Sequence, residues 1–401
     1  MSDLRCCEER AHAVLNELSI EIPSWGFADT GTRFGKFRQD GAAIDLNDKL
    51  ADAGQVHALT GCCPKVALHV LWDLPPNQTP ADVLALAAQH GVSIGSINPN
   101  LFQDQEYKYG SLCHPDSDIR QRAMNHCTES IRLGQALNSR VVTLWMADGT
   151  NYPGQDSIRS RKQRLTASLQ ELHGHLAADQ LFLVEYKPFE PAFYHTDIAD
   201  WGMSLTLARA MGDQARVLVD TGHHYQAQNI EQIVAWLLDE GMLGGFHFND
   251  RRYADDDLTL GSIDPYQMFR IFYEILSYAH DTGRAPVVEY MVDQSHNLKP
   301  KIEAMIQTVM TAQELAVKAA MVDFDVVADL QSRRDLVGCE QHLKQAFFTD
   351  VSEWIHNWRT SQNLAPDPLA AYRDSGHAER TAAERQERRQ SMGPVTDGSY
   401  A

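Results

Sequence analysis

Residues Val219-Asp220-Thr221-Gly222-His223-His224 end a β-rich run in a polar turn, and the next such run ends in Phe246-His247-Phe248-Asn249-Asp250. The run before closes in Leu183-Val184-Glu185-Tyr186-Lys187, and the run after in Tyr290-Met291-Val292-Asp293-Gln294-Ser295-His296. Apolar stretches capped by acidic and imidazole groups suit buried parallel strands whose carboxyl ends open on a site. Working outward, the β-rich runs are Ile20–Trp25, Lys65–Leu71, Val92–Ile97, Arg140–Trp145, Leu181–Tyr186, Arg216–Asp220, Gly244–Phe248 and Pro286–Asp293. Between them lie Ser117–Leu137, Ser157–Ala177, Asn229–Glu240 and Pro265–Tyr278, where apolar residues recur at three- and four-residue steps. Strands alternating with helices imply parallel pairing through right-handed crossovers. Eight such units over about 300 residues fit a closed (β/α)8 TIM barrel. An open doubly wound sheet would bring a glycine-rich phosphate turn after its first strand, and neither GxGxxG nor GxxxxGK[ST] occurs.

The pattern changes after Ala320. The barrel is expected over residues 1–320 and a C-terminal helical extension over 321–401. Met321 to Trp358 read as helical. Gln362 to Ala401, rich in Arg, Glu, Ala and Gly, read as a tail that wraps a neighbouring subunit or stays partly disordered.

The 401 residues carry 35 basic and 54 acidic side chains, a formal charge of −19, and 43% are apolar. That balance argues against nucleic-acid binding, which needs clustered Lys and Arg, and suits an enzyme that gathers carboxylates around cations. Met1 to Ser19 hold no apolar core of signal-peptide type, and no run of roughly 18 uncharged apolar residues predicts a membrane span. Seven Cys, with the adjacent pairs Cys6-Cys7 and Cys62-Cys63 and no CxxC, point to reduced thiols in a cytoplasm.

Glu185 and Lys187 are two apart, so both face one side of their strand. Inward charges need partners. A divalent cation bound by Glu185, Asp220, His247 and Asp293 would be one; carboxylates with an imidazole suit Mn²⁺, Co²⁺ or Mg²⁺. His223, three residues beyond Asp220, and Asp255 and Asp257 could hold a second cation with Asp220 as a bridge. Two cations can polarise neighbouring oxygens and acidify a bound water. Taken singly, each of these residues is as readily a cap or a hydrogen-bond partner, and Asp255-Asp256-Asp257 a solvated loop. Four consecutive strands each ending in a hard-metal ligand weigh against that bland reading. His224 and His296 lack such company and read as supporting or surface residues. Trp25, Trp72, Phe102 and Trp145 at other strand ends either cover the C–H face of a sugar or fill the barrel mouth. From position alone, His69 reads as a core histidine.

Several longer stretches resemble bacterial L-rhamnose isomerases of the xylose-isomerase-like superfamily. They are Gly244-Gly245-Phe246-His247-Phe248-Asn249-Asp250, Asp255-Asp256-Asp257-Leu258 and Gly261-Ser262-Ile263-Asp264-Pro265. Ala147-Asp148-Gly149-Thr150-Asn151-Tyr152-Pro153-Gly154-Gln155, Glu190-Pro191-Ala192-Phe193-Tyr194, Asp293-Gln294-Ser295-His296-Asn297 and Asp367-Pro368-Leu369-Ala370-Ala371-Tyr372-Arg373 are similar too. The resemblance runs from about Trp25 to Tyr372. It implies two divalent cations per subunit, with Mn²⁺ the first expectation. A structural one would be held by Glu185, Asp220, His247 and Asp293, and a catalytic one by Asp220, His223, Asp255 and Asp257. It implies that Lys187 contacts the substrate near O1, that His69 helps open the pyranose, and that Trp25, Phe102 and Trp145 line the sugar. It also implies that Phe34 reaches into a neighbour's site, hence a homotetramer. Two departures stand out: a short Gln103–Tyr109 segment, and Glu289 on the same strand face as Asp293 where a neutral residue is expected.

The activity implied is aldose–ketose isomerisation of L-rhamnose and L-rhamnulose by a C1–C2 hydride shift, extending to aldoses such as D-allose. His69, Lys187, Asp257, Glu185 and Asp293 would be the catalytic set, with His223 also near the sugar. Two rivals are kept. A ketose 3-epimerase would share the barrel but pair two Glu as acid and base, where this chain offers Asp293. A non-catalytic sugar-binding barrel would keep the pocket and show no turnover.

Overall fold

Alternation along each strand decides which side chains enter the barrel and which meet the helices. The computed structural model describes residues 2–32, 35–75, 77–102, 104–190, 194–253, 255–295 and 297–392. Eight parallel strands close in chain order: β1 (Ile20–Pro23), β2 (Lys65–His69), β3 (Ser93–Asn98), β4 (Val141–Leu144), β5 (Leu181–Glu185), β6 (Ala215–Asp220), β7 (Leu243–Phe248) and β8 (Glu289–Val292). β8 pairs back onto β1 through Ile20 with Tyr290 and Glu21 with Met291. The TIM barrel read from the sequence is the observed fold, and its strands fall within a few residues of the expected runs.

Val141, Leu183, Leu218 and Met291 form one buried cluster from β4, β5, β6 and β8. One alternation further along, at Glu185, Asp220 and Asp293, the same strand faces turn from apolar to acidic. The register sets Leu218 beside Glu185, Asp220 beside His247, and His247 beside Met291, so these ends lie at one level. On the outer faces, Phe182, Val184, Val217, Val219, Phe246 and Phe248 are fully buried. They share a core with Ile233 and Leu237 of helix Ile230–Asp239 and with Phe269 and Phe272 of helix Pro265–Thr282. Helix starts are set by side-chain caps: Asp116, Asp200, Asn229 and Asp264 each accept from a backbone N–H of the first turn.

Beyond helix Lys301–Ala320 come Phe324–Ser332, Leu336–Phe348, Ser352–Ser361, Pro368–Asp374 and His377–Met392. Trp358 packs with Leu15 and Val317. The tail differs from its expectation. Residues 377–392 are helical and lie against this chain's own helix Leu46–Thr60. Arg385 holds buried Asp52 through two contacts of 2.8 Å, Arg388 meets Asp48 at 2.7 Å, and Arg389 meets Asp29 at 2.9 Å. The docking runs through paired charges rather than an apolar stripe, so hydrophobic periodicity carries no trace of it. Among the described residues, no helix is long and apolar enough to cross a membrane. The seven Cys are free thiols.

Candidate metal centre and sugar pocket

Glu185 ends β5, Asp220 ends β6, His247 lies one residue from the end of β7, and Asp293 follows β8. One ligand atom from each of the four lies within 4.8 Å of the others. His247 Nδ1 stands 3.3 Å from Glu185 Oε2 and 3.9 Å from both Asp220 Oδ2 and Asp293 Oδ2. That nitrogen is buried and makes no hydrogen bond. A buried imidazole nitrogen that makes no hydrogen bond yet faces three carboxylates suits a divalent cation with oxygen and nitrogen ligands, so these residues fit the group the strand ends suggest.

Electrostatics inside the quartet are strained by burial. Desolvation pushes the Asp220 carboxyl up to about 7, with Glu185 and Asp293 adding to it and His223 and His247 opposing. For Glu185, burial would raise the pKa, but His247 and His223 outweigh it and hold the carboxyl at about 2. Burial would lower His247, yet Glu185, Asp293 and Asp220 lift it to about 9. At pH 7 the metal-free protein therefore keeps His247 protonated. Because a coordinating imidazole must be neutral and a coordinating carboxyl ionised, cation uptake at pH 7 should release between about one and two protons, from His247 and from the protonated share of Asp220. The sign follows: apparent affinity rises with pH until His247 has lost its proton near pH 9. Calorimetric titration with Mn²⁺ in two buffers of different ionisation heat measures the release; buffer-independent heat would mean that His247 is not a ligand.

The second expected quartet is not brought together in this way. Among the described residues, the other cluster of three or more ligand groups within 4.8 Å is Cys113, Asp148 and Asp197. There Cys113 donates to both carboxylates, and Arg161 already pairs with Asp197 at 2.7 Å. His223 instead turns Nδ1 toward the Tyr186 carbonyl at 3.1 Å and Glu185 Oε1 at 3.2 Å, and Nε2 toward Asp255 Oδ1 at 2.8 Å. The other oxygen of Asp255 pairs with Lys187 Nζ. Asp255 is thus committed to two cationic partners, and they hold its carboxyl well below the usual range despite burial. Asp255 and Asp257 both adopt left-handed backbone, with φ of 57° and 48°. Non-glycine residues rarely sit there unless the surroundings impose it. Burial, with Asp255, Asp293 and Asp220 near by, raises the Asp257 carboxyl far above its ordinary value.

Lys187 continues past β5 and is buried. Its ammonium contacts Asp255 and Glu190, the latter at 2.8 Å, and lies 5.0 Å from the Trp145 ring. Burial would lower its pKa, but those two carboxylates raise it instead. A run of rings lines the mouth from Trp25 to Trp145. His69 lies 4.6 Å from Trp25, 4.2 Å from Trp72 and 5.8 Å from Phe102, and Phe102 lies 5.0 Å from Trp145. His69 Nδ1 is buried without a partner. Desolvation, with Lys49 and His247 near, pushes its pKa down to about 3, so the ring is neutral at pH 7. Aromatic carbon and neutral imidazole thus face a wall of charge, an arrangement suited to a polyhydroxylated ligand with one apolar face.

Phe34 and His296 lie outside the described residues. His224 is fully buried and meets the Tyr186 hydroxyl at 2.6 Å through Nε2, so it supports the site from behind. Glu289 pairs with Lys65 at 3.2 Å near the amino ends of β8 and β2, at the far end of the barrel from the cation quartet. Three roles went unread in the sequence. Asn249 donates to Asp220 Oδ1 at 3.0 Å and to the Asp293 carbonyl at 3.0 Å. A Cβ on Gly222 would come within 2.7 Å of Asn249 Oδ1, so that glycine is required for the approach. Glu190 is the second partner of Lys187. Trp25, read only as a sugar-facing ring, donates its indole N–H to Asp293 Oδ1 at 2.8 Å. Position would have flagged Asn249, two residues past inward-facing His247; nothing local marks the other two.

The sequence profile of xylose isomerase-like TIM barrels matches residues 63–282. A Mesorhizobium japonicum protein described as a "probable sugar isomerase" is 37% identical over 378 residues, 93% of this chain and 87% of that one. A Rhizobium meliloti protein with the same description is 39% identical over 374 residues, 91% of this chain and 86% of the relative. Among solved structures, an L-ribulose 3-epimerase superposes with a TM-score of 0.54 at 14% identity, covering 80% of this chain and 98% of that one, a likeness of fold. With its closed eight-stranded barrel and these relatives, the chain belongs to the xylose isomerase-like TIM barrel family.

Proposed function

We propose that this protein is a metal-dependent aldose–ketose isomerase, with L-rhamnose and L-rhamnulose as the first substrate pair and broader action on aldoses such as D-allose. The observation that carries the reading is the convergence of Glu185, Asp220, His247 and Asp293 at one end of the barrel. The relatives described as sugar isomerases support it. The quartet would hold a divalent cation, Mn²⁺ first, which supplies Lewis-acid polarisation of adjacent sugar oxygens. A second cation at His223, Asp255 and Asp257 would have to displace Lys187 and the His223 proton from Asp255.

The chain's own residues divide the remaining work. Opening the pyranose breaks the bond from C1 to the ring oxygen as C1=O1 forms, and neutral His69 relays the proton released at O1 to the ring oxygen. Lys187, kept protonated by Asp255 and Glu190, donates to O1 and favours negative charge there. Asp257, ionised once a neighbouring cation offsets the carboxylates around it, would accept the O2 proton and pass it on to O1. The hydrogen on C2 moves with its electron pair to C1, which turns C2–O2 into the ketone and C1–O1 into the alcohol. No carbon base is needed. Trp145 and Phe102 cover the sugar's C–H face and exclude water that would compete for the proton. Phe34 from a neighbour in a homotetramer would complete that cover.

The test is metal-stripped protein reloaded with Mn²⁺ and assayed against a panel of aldoses and ketoses. L-Rhamnose should be converted fastest, with slower turnover of L-mannose, whose C6 hydroxyl an apolar pocket rejects by only about 10²-fold, and of L-lyxose and D-allose. Faster conversion of D-xylose would overturn the substrate assignment, and ketose-to-ketose exchange at C3 without aldose formation would favour an epimerase. In deuterated water the ketose C1 should gain little deuterium; heavy uptake would exclude the direct shift.

A further inference from the structure

We infer that Trp25 is a positioning residue for the cation centre: its indole N–H, not its ring face, is the functional part, and it holds Asp293 with one oxygen turned to the metal. The inference rests on the metal-binding part of the reading above. In Asp293, Oδ1 accepts from Trp25 Nε1 at 2.8 Å, while Oδ2 faces His247 Nδ1 at 3.9 Å. Asp220 is held in a matching way. Its Oδ1 accepts from the Gly222 amide at 2.6 Å and from Asn249 Nδ2 at 3.0 Å, while its Oδ2, also 3.2 Å from Asn249 Nδ2, faces His247 Nδ1 at 3.9 Å. Asp293 is therefore clamped by a protein donor on one oxygen, and Asp220 chiefly on one. Donors of this kind orient ligands and set affinity.

The reason for a tryptophan at this place lies in the barrel seam. The β1–β8 ladder registers Ile20 with Tyr290 and Glu21 with Met291. Pro23 then ends β1 and has no N–H to extend it. Beyond that point the two chain segments still lie close: a Cβ on Gly26 would meet the Gln294 carbonyl at 2.8 Å. The Trp25–Asp293 bond ties the first strand's end to the last where the backbone ladder has stopped. The same indole packs edge-on at 4.6 Å against His69. A cation that orders Asp293 therefore also orders Trp25 and, through it, the neutral imidazole that faces the sugar. Metal and sugar binding are coupled through one side chain, and the coupling is reciprocal.

The decisive variant is Trp25→Phe, which keeps an aromatic ring and deletes the N–H. Mn²⁺ binding to the metal-stripped full chain, followed by electron paramagnetic resonance of the free ion, should weaken by about 10- to 100-fold. Trp145→Phe is the control, because the Trp145 Nε1 makes no hydrogen bond, and its Mn²⁺ affinity should stay within about twofold. The midpoint of thermal unfolding without metal should barely move in Trp25→Phe, while the rise produced by Mn²⁺ should shrink. A purely structural role would lower the midpoint without metal and leave that rise unchanged. A second measurement uses the unaltered chain: on Mn²⁺ loading, backbone amides of 24–28 should gain hydrogen-exchange protection together with those of 289–295. Equal Mn²⁺ affinity in wild type and Trp25→Phe, or protection confined to 289–295, would overturn the inference and leave the metal reading standing. Absence of Mn²⁺ uptake by the wild type would remove both.

Discussion

Replacing Glu185 by Gln should abolish turnover by emptying the cation centre, with Mn²⁺ affinity falling by more than about 100-fold, beyond the loss expected for an outer partner. Glu185 is the buried anion between two imidazoles, 3.2 Å from His223 Nδ1 and 3.3 Å from His247 Nδ1. Gln keeps the shape and removes the charge that attracts a cation. The change should also destabilise the metal-free protein, by up to about 3–5 kcal/mol where the imidazoles are charged, because a buried ion pair loses one member. Its pH dependence has a definite sign. The folded-state pKa of His247 is raised to about 9, so the stabilisation it draws from Glu185 is complete below the unfolded value of roughly 6.5 and disappears as pH rises through 9. The difference in unfolding midpoint between wild type and Glu185→Gln should thus be largest near pH 6 and small above pH 9. Thermal melts across that range, with calorimetric Mn²⁺ titration, check both parts. Undiminished Mn²⁺ affinity would remove Glu185 from the ligand set.

Asp257→Asn should cut kcat by about 10²- to 10⁴-fold, the usual share of a positioned acid–base group, while the fold and the quartet's Mn²⁺ affinity persist. Asp257 is not in the converging quartet. Burial and three neighbouring carboxylates favour its protonated form in the metal-free chain, and Asn is close in shape to that neutral acid. Asn also tolerates the left-handed backbone at this position better than most residues, so φ of 48° adds little strain. What Asn cannot do is accept and return a proton. Near-normal kcat in this variant, with a normal melting profile, would exclude Asp257 from proton transfer.

Much of this was legible along the chain because a barrel strand has a simple code. Apolar residues continuous on both faces mark a buried parallel strand, and the last inward position opens on the mouth. Glu185, Asp220, His247 and Asp293 each occupy such a position, so their meeting follows once eight strands close. The helices were equally legible: the amphipathic stretch read over Pro265–Tyr278 became helix Pro265–Thr282, and Ser117–Leu137 became Ser117–Ala136.

What the chain order determined by itself, then, was the architecture and the level at which the four ligands lie, since period-two alternation and parallel pairing are local rules applied eight times. What only the tertiary structure decided was the hand-to-hand chemistry between distant segments. Trp25 donates to a residue 268 positions away. Asp255, brought in from a loop, accepts from both Lys187 and His223, so two members of the second quartet are engaged with each other and with Lys187. Arg385 locks a polar tail helix onto Asp52 across 333 positions. Hydrogen bonds and ion pairs are short-ranged in space and indifferent to sequence separation, so no periodicity records them, whereas burial of apolar surface recurs along every strand and helix and does.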